Sequence, residues 1–198
     1  MYQDFDAFRR ELLRRYNEIL LRVIREEDPG RLVFTNRFMI GEGRDLLDNL
    51  DLYSGYDAVA VNVYPENLHP GLEADQRALL HLIHEKTGKP LLIGEWSVPA
   101  RDSGLYNNPE RLDWSYPQTV ATQRDRANQA ARVQTEFYNL PFLVGAHYFI
   151  WRDFDSPARQ ANRGLFKASG EPWPEMQEAL RAVNLRIAAS LEGTAKRP

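Results

Sequence analysis

The chain has 198 residues, 43% of them hydrophobic and 11% aromatic, enough for one sizeable core and a single domain. A formal net charge of −3 with no concentrated basic face gives a nucleic-acid partner no source of counterion-release affinity. The absence of cysteine excludes a disulfide framework, a thiolate metal site and a cysteine nucleophile, and leaves the compartment open. No basic region followed by an apolar stretch opens the chain, and no apolar run approaches the roughly 20 residues of a spanning helix. A soluble protein without a membrane partner is expected.

Phe5, Phe8, Leu12, Tyr16, Ile19 and Val23 recur at three or four residues and predict a helix with one apolar stripe. Asp4 or Asp6 can cap it, and Asp28-Pro29-Gly30 stops it. The basic run Arg9, Arg10, Arg14 and Arg15 on this helix reads as a solvated face. Leu32 to Asn36 reads as a short strand, and a short helical stretch runs around Leu46 to Leu52. Ala58 to Tyr64 is a second strand, ended by Pro65. A helix through Leu79, Leu80, Leu82 and Ile83 closes at Gly88, and Lys89-Pro90 leads into the strand Leu91 to Trp96. A long polar and aromatic loop covers about Ser97 to Gln118, and the next helix carries Val120, Ala127, Ala131 and Phe137. The fourth strand spans Leu143 to Trp151; Pro174 then opens a last helix with Met176, Leu180 and Val183 inward. Residues 1–190 form the domain, and 191–198 a flexible tail.

These strands are continuous apolar runs rather than alternating ones, as expected when both sheet faces are covered. Strands separated by helices imply right-handed βαβ units and a parallel sheet, with function at the C-terminal strand ends. All four strands end in polar groups: Asn36-Arg37, Asn62 with Tyr64, Glu95-Trp96, and His147 with Trp151-Arg152-Asp153. Glu95 is the sharpest of these, because Gly94 before it leaves room for a ligand or a neighbouring side chain. Its plainer reading is a carboxylate paired with Arg37 or Arg152 to tie strand ends together. Trp151, Trp96, Trp114, Tyr106 and Tyr116 can offer flat faces to sugar rings, while Asn, Arg and Asp bind hydroxyls. Strand alternation puts His147 on the face of Trp151. His69, His81 and His84 form no metal-ligand set, so neither metal nor cofactor is expected.

The strands ending in Asn62-Val63-Tyr64, Gly94-Glu95-Trp96 and His147 through Trp151 resemble the sixth, seventh and eighth strands of clan A retaining glycoside hydrolases. Ile93 to Ala100 with Asp102 to Leu105, and Asn162 to Phe166, are similar to agarase-like and related β-galactosidase families. The resemblance covers nearly the whole chain. It implies an α/β fold: the C-terminal half of a TIM (β/α)8 barrel, strands five to eight with their helices. It implies a carbohydrate substrate, β-linked and galactose-containing. Carried over by position, it makes Glu95 the nucleophile, oriented by Tyr64. Trp151 floors the subsite of the sugar whose bond breaks, and Asn36, Arg37 and His147 touch substrate. Asn62, Trp96 and Asp153 are further strand-end candidates for substrate binding.

One departure outweighs the matches. In that clan the acid/base is a Glu, usually after an Asn, at the end of the fourth strand, whereas this chain opens with the helix expected after it. Asn17-Glu18 lies mid-helix, and Glu42 is poorly placed in the loop after the first strand. The expectation is a chain inactive or nearly so by itself, whose partner is a missing N-terminal half-barrel or another copy joined through exposed sheet edges.

Overall fold

The computed structural model describes residues 2–40, 47–66, 69–105 and 119–195. Four parallel strands form one sheet in the order β1-β2-β3-β4: Phe38–Met39, Val59–Asn62, Leu91–Trp96 and Leu143–Tyr148. α1 (Tyr2–Glu27) precedes the sheet, a 3-10 turn (Leu50–Tyr53), α2 (Ala74–Thr87) and α3 (Gln123–Tyr138) lie between successive strands, and α4 (Pro174–Ala195) follows. This is the mixed α/β arrangement of a partial (β/α)8 barrel.

The sheet carries its core on the helix side. Val59, Val61, Leu91 and Ile93 are fully buried there with Leu80 and Ile83 of α2, Val133 and Phe137 of α3, and Met176 of α4. Each helix start and stop has a local cause. Gly88 ends α2 in the left-handed region at φ 63°, its N–H on the His84 carbonyl. Thr122 and Asp125 form a reciprocal capping box at the start of α3. Pro174 occupies the first turn of α4, where its missing N–H costs nothing.

Several expected boundaries move. α1 already runs from Tyr2, so Asp4 and Asp6 lie inside its first turns instead of capping it. Its predicted stripe faces outward: Phe5, Phe8, Leu12, Tyr16, Ile19 and Val23 are 46–65% exposed. Leu13, Leu20, Leu21 and Ile24 pack on the core instead. The first strand pairs later than Leu32 to Asn36; only Phe34 bridges Ala58 in that run, and Phe38 and Met39 pair with Val61 and Asn62. Thr35 explains the gap, because its hydroxyl accepts the Ala60 N–H at 2.9 Å. Val120 is bridged to Ala100 and precedes α3. β4 stops at Tyr148, three residues before Trp151. The chain then makes a hairpin that no periodicity announced, β5 (Phe154–Ser156) against β6 (Arg159–Ala161). The last helix continues to Ala195.

Among the described residues the sheet ends at β1 and β4; Phe34 before β1 is 41% exposed and Val144 within β4 is 58% exposed. Among the described residues no helix is long and apolar enough to cross a membrane.

Asp57 anchors the entry to the sheet. Its carboxylate accepts the Val33 N–H at 2.7 Å and Arg25 at 2.6 Å. These two donors hold its pKa below the usual carboxylate value, the backbone bond contributing most. A depressed folded-state pKa means the contribution is present at neutral pH and lost as pH falls below the unfolded value near 4. Asp57→Asn should therefore lower Tm at pH 7, and the gap to wild type should narrow when melting is repeated towards pH 3.

Candidate active site

β1, β2 and β3 converge on Glu95. A register shift between Val61 and Asn62 sets Asn62 opposite Glu95 at the strand ends. The Tyr64 hydroxyl donates to Glu95 Oε2 at 2.7 Å, and an Arg37 guanidinium N–H donates to Oε1. The carboxylate side chain keeps 17% exposure, while that of Arg37 is 55% exposed. So Glu95 is oriented by a buried donor on one oxygen and capped by a solvent-facing cation on the other.

Gly94 makes the Arg37 contact possible. A Cβ built there would stand 2.5 Å from Arg37 Cδ, 2.8 Å from its Cγ and 3.0 Å from Asn62 Oδ1. The room anticipated beside Gly94 is taken by the Arg37 stem. Of the two arginines considered for a strand-end pair, Arg37 makes it; Arg152 instead bridges Phe166 through its backbone.

A buried cation missed in the sequence stands behind this arrangement. Arg163 is 1% exposed, lies 4.9 Å over the Tyr64 ring and donates to Ser97 Oγ at 2.5 Å. It therefore grips both flanks of Glu95, the tyrosine that orients it and the strand exit two residues on. Burial, followed by the Glu95 hydrogen bond and charge, pushes the Tyr64 phenol pKa well above its ordinary value, against the pull of Arg163 and Arg37. Tyr64 stays a donor across the working pH range. The available signal was the Asn162-Arg163-Gly164 run, whose arginine had no assigned task.

The other candidates divide clearly. Trp151 is 69% exposed with its ring on Phe166 at 4.5 Å, a platform open to solvent. His147 is exposed near the end of β4, but Trp151 lies beyond the strand, so strand alternation does not relate the two. Asn36 is exposed next to Arg37. Asn62 is 8% exposed, and its Oδ1 has no hydrogen-bond partner among the described residues.

Trp96 and Asp153 are not available to a ligand. Alternation after Glu95 turns the Trp96 ring to the helix side, where it is 0% exposed and edge-on to Phe137 and Tyr148. Asp153 is 5% exposed and accepts the Gly164 N–H at 2.6 Å, Trp173 Nε1 at 2.8 Å and Asn162 Nδ2 at 3.0 Å. Burial raises its pKa, and those donors pull back. Asp153 and the fully buried Arg126 both bond the Gly164 backbone, Arg126 through the carbonyl at 2.6 Å. Together they fix the segment that carries Trp151.

Asn17 accepts from the Tyr56 hydroxyl at 2.8 Å, and Glu18 is ion-paired with Arg14, which makes that pair structural. Glu42, Tyr106, Trp114 and Tyr116 lie outside the described residues. Among the described residues no group of three His, Asp or Glu could hold a metal. A groove of about 920 Å³ between α1 and Tyr53 is separate from Glu95 and shares none of its partners.

Gly164 offers a direct test of that support. A Cβ there would meet Asp153 N at 2.2 Å and Arg152 C and Phe166 O at 2.5 Å, all backbone. Gly164→Ala should cost about 2–3 kcal/mol, seen as a Tm drop of roughly 5–10 °C in thermal unfolding.

No family model matches the chain. Beta-agarase B of Vibrio sp. (strain JT0107) is 27% identical over 133 residues, 65% of this chain and 12% of that protein. The structure of an exo-beta-agarase superposes with a TM-score of 0.76 at 23% identity, covering 97% of this chain and 24% of that one. PfGH50B superposes with a TM-score of 0.75 at 25% identity, covering 96% and 25%. The chain thus spans a quarter or less of the length of these relatives. Over nearly its whole length it shares the fold of part of an agarase-type glycoside hydrolase barrel.

Proposed function

We propose that this chain carries the nucleophile half of a retaining glycoside hydrolase acting on β-linked, galactose-containing carbohydrate, with Glu95 as the nucleophile. The observation that carries the reading is the Glu95 carboxylate itself: at the C-terminal end of a parallel strand, fixed by Tyr64, partly open and capped by a half-exposed arginine. The sugar class rests on the names of the similar proteins, and Trp151 supplies an apolar ring face of the kind sugars stack on.

In this mechanism Oε2 stays on the Tyr64 hydroxyl. Oε1 leaves Arg37 and attacks the anomeric carbon while the glycosidic C–O bond breaks, its electron pair departing with the aglycone oxygen. Water then hydrolyses the glycosyl ester and restores the carboxylate. A second carboxyl about 5–5.5 Å away normally protonates the leaving oxygen and later activates the water. Among the described residues, the hydrogen-bond partners of Glu95 include no such group. We assign that role to a complementary half of the barrel outside these 198 residues.

This separates two steps experimentally. A 2,4-dinitrophenolate departs without protonation, so 2,4-dinitrophenyl 2-deoxy-2-fluoro-β-galactoside needs only the nucleophile. Mass spectrometry of the digested adduct should find the sugar on Glu95, and Glu95→Gln should take no label. Tyr64→Phe should slow trapping roughly 10- to 100-fold, the value of a hydrogen bond to a charged group. Label on another residue, or none, would sink the assignment. Alkyl galactosides, which need an acid, should turn over about 10²–10⁴-fold more slowly than a complete enzyme would achieve.

A second reading, a non-catalytic carbohydrate-binding unit, is favoured by one feature: an exposed Trp151 platform, with no acid partner bonded to Glu95 among the described residues. Calorimetric titration with agaro-oligosaccharides distinguishes it. Binding without trapping, and unchanged in Glu95→Gln, supports the binding unit.

A further inference from the structure

One acceptor beside Glu95 has no hydrogen bond. Asn62 pairs with Glu95 across β2 and β3, and its side-chain oxygen lies over Gly94. That Oδ1 is closed to solvent and has no partner among the described residues. An amide oxygen is hydrogen-bonded in water, so leaving it dry and unpaired is costly. The strand itself does not require this cost, because its pairing uses the Asn62 backbone carbonyl, which takes the Ile40 N–H at 3.1 Å. A buried polar atom without a partner is rare enough in folded proteins to call for a cause. Trp96 Nε1, likewise unpaired, lies on the opposite face of β3 and does not share that cause.

The side chain next to this oxygen is the one that caps Glu95. A Cβ on Gly94 would stand 2.5 Å from Arg37 Cδ and 3.0 Å from Asn62 Oδ1. The arginine stem and the amide oxygen therefore converge over the same glycine, while the head of that arginine donates to Glu95 Oε1. The stem brings only methylene groups towards Oδ1, and these satisfy no acceptor.

Taking the strand ends as the sugar site proposed above, we propose that Asn62 is a specificity-determining residue. Its Oδ1 accepts a hydrogen bond from a ring hydroxyl of the sugar whose anomeric carbon faces Glu95, and Arg37 covers it until that sugar arrives. Departure of Arg37 then uncovers two acceptors at once. Oε1 meets the anomeric carbon, and Oδ1 meets the hydroxyl. Oδ1 gives up no earlier bond to form this one, since the free chain leaves it unused. A sugar without that hydroxyl displaces Arg37 and still leaves Oδ1 unpaired. Sites built to bond a substrate hydroxyl reject the analogue lacking it for this reason. The substrate class narrows accordingly: the ring against Glu95 carries a free hydroxyl within reach of Asn62, and its methyl ether or deoxy form is refused.

NMR titration of the full chain with methyl β-galactoside and its 2-, 3-, 4- and 6-deoxy derivatives tests this without any chemical step. One derivative should bind wild type about 10-fold or more weakly than the parent sugar. In Asn62→Leu the difference between the parent and that derivative should vanish, while the other derivatives keep their rank. Asn62→Ala should behave in the same way and serves where the larger side chain disturbs the fold. Equal weakening of all five sugars in the variants, unchanged discrimination, or no binding by wild type would each overturn the proposal and leave Oδ1 to a protein donor outside the described residues. The expected pattern in a chain whose Glu95 takes no fluorosugar label would remove the nucleophile and keep the Asn62 contact.

Discussion

The hydrogen bond from the buried Tyr64 hydroxyl to Glu95 fixes the orientation on which the site depends. It spans two neighbouring strands, so it exists only because β2 and β3 run parallel with a register shift at Asn62 that brings their ends level. The second donor, Arg37, crosses from the first strand region and fits only over a residue without a Cβ. A carboxylate held by two donors has its geometry set before a ligand arrives, and that preorganisation is what a nucleophile requires. The donors differ in a useful way. Tyr64 is buried and permanent, whereas Arg37 is half in solvent and replaceable.

Behind this pair lies a layer of buried polar groups that do not meet substrate. Arg163 clamps the Tyr64 ring and the Ser97 hydroxyl, and Arg126 reaches the carbonyls of Val98 and Gly164. Asp153 balances these cations through the Gly164 N–H and the indole of Trp173. Buried charges persist only when their hydrogen-bonding capacity is met. Here that capacity is met by loop backbone, so the same bonds that satisfy the charges hold the strand exits in place. The long segment after β4 is thereby rigid enough to present Trp151 to solvent.

Much of this was legible in the sequence. The continuous apolar runs gave β2 and β3 almost to the residue, and Gly88 and Pro174 marked helix ends correctly, because each has a strict local cause. Glu95, Tyr64 and Arg37 stood out as polar groups at strand ends, the Tyr64–Glu95 contact was implied by the resemblance alone, and the structure brings the three side chains together. The failures are tertiary. Periodicity found the α1 stripe but could not tell which of two apolar faces meets the sheet, and the structure turns Leu13, Leu20 and Ile24 inward. Trp96 and Asp153 look like ligand contacts until alternation and burial are known. Arg163 and Arg126 carry charges that a linear reading assigns to the surface, and only the packed loops show why they are inside.

The most direct test of the central claim is a crystal structure of the Glu95→Gln chain soaked with an intact β-galactoside. The account predicts a sugar ring against Trp151 with its anomeric carbon about 3–3.5 Å from the residue-95 side-chain oxygen that replaces Oε1. A ring bound elsewhere, or one presenting only its hydroxyls to residue 95 with Arg37 still in place, would contradict it.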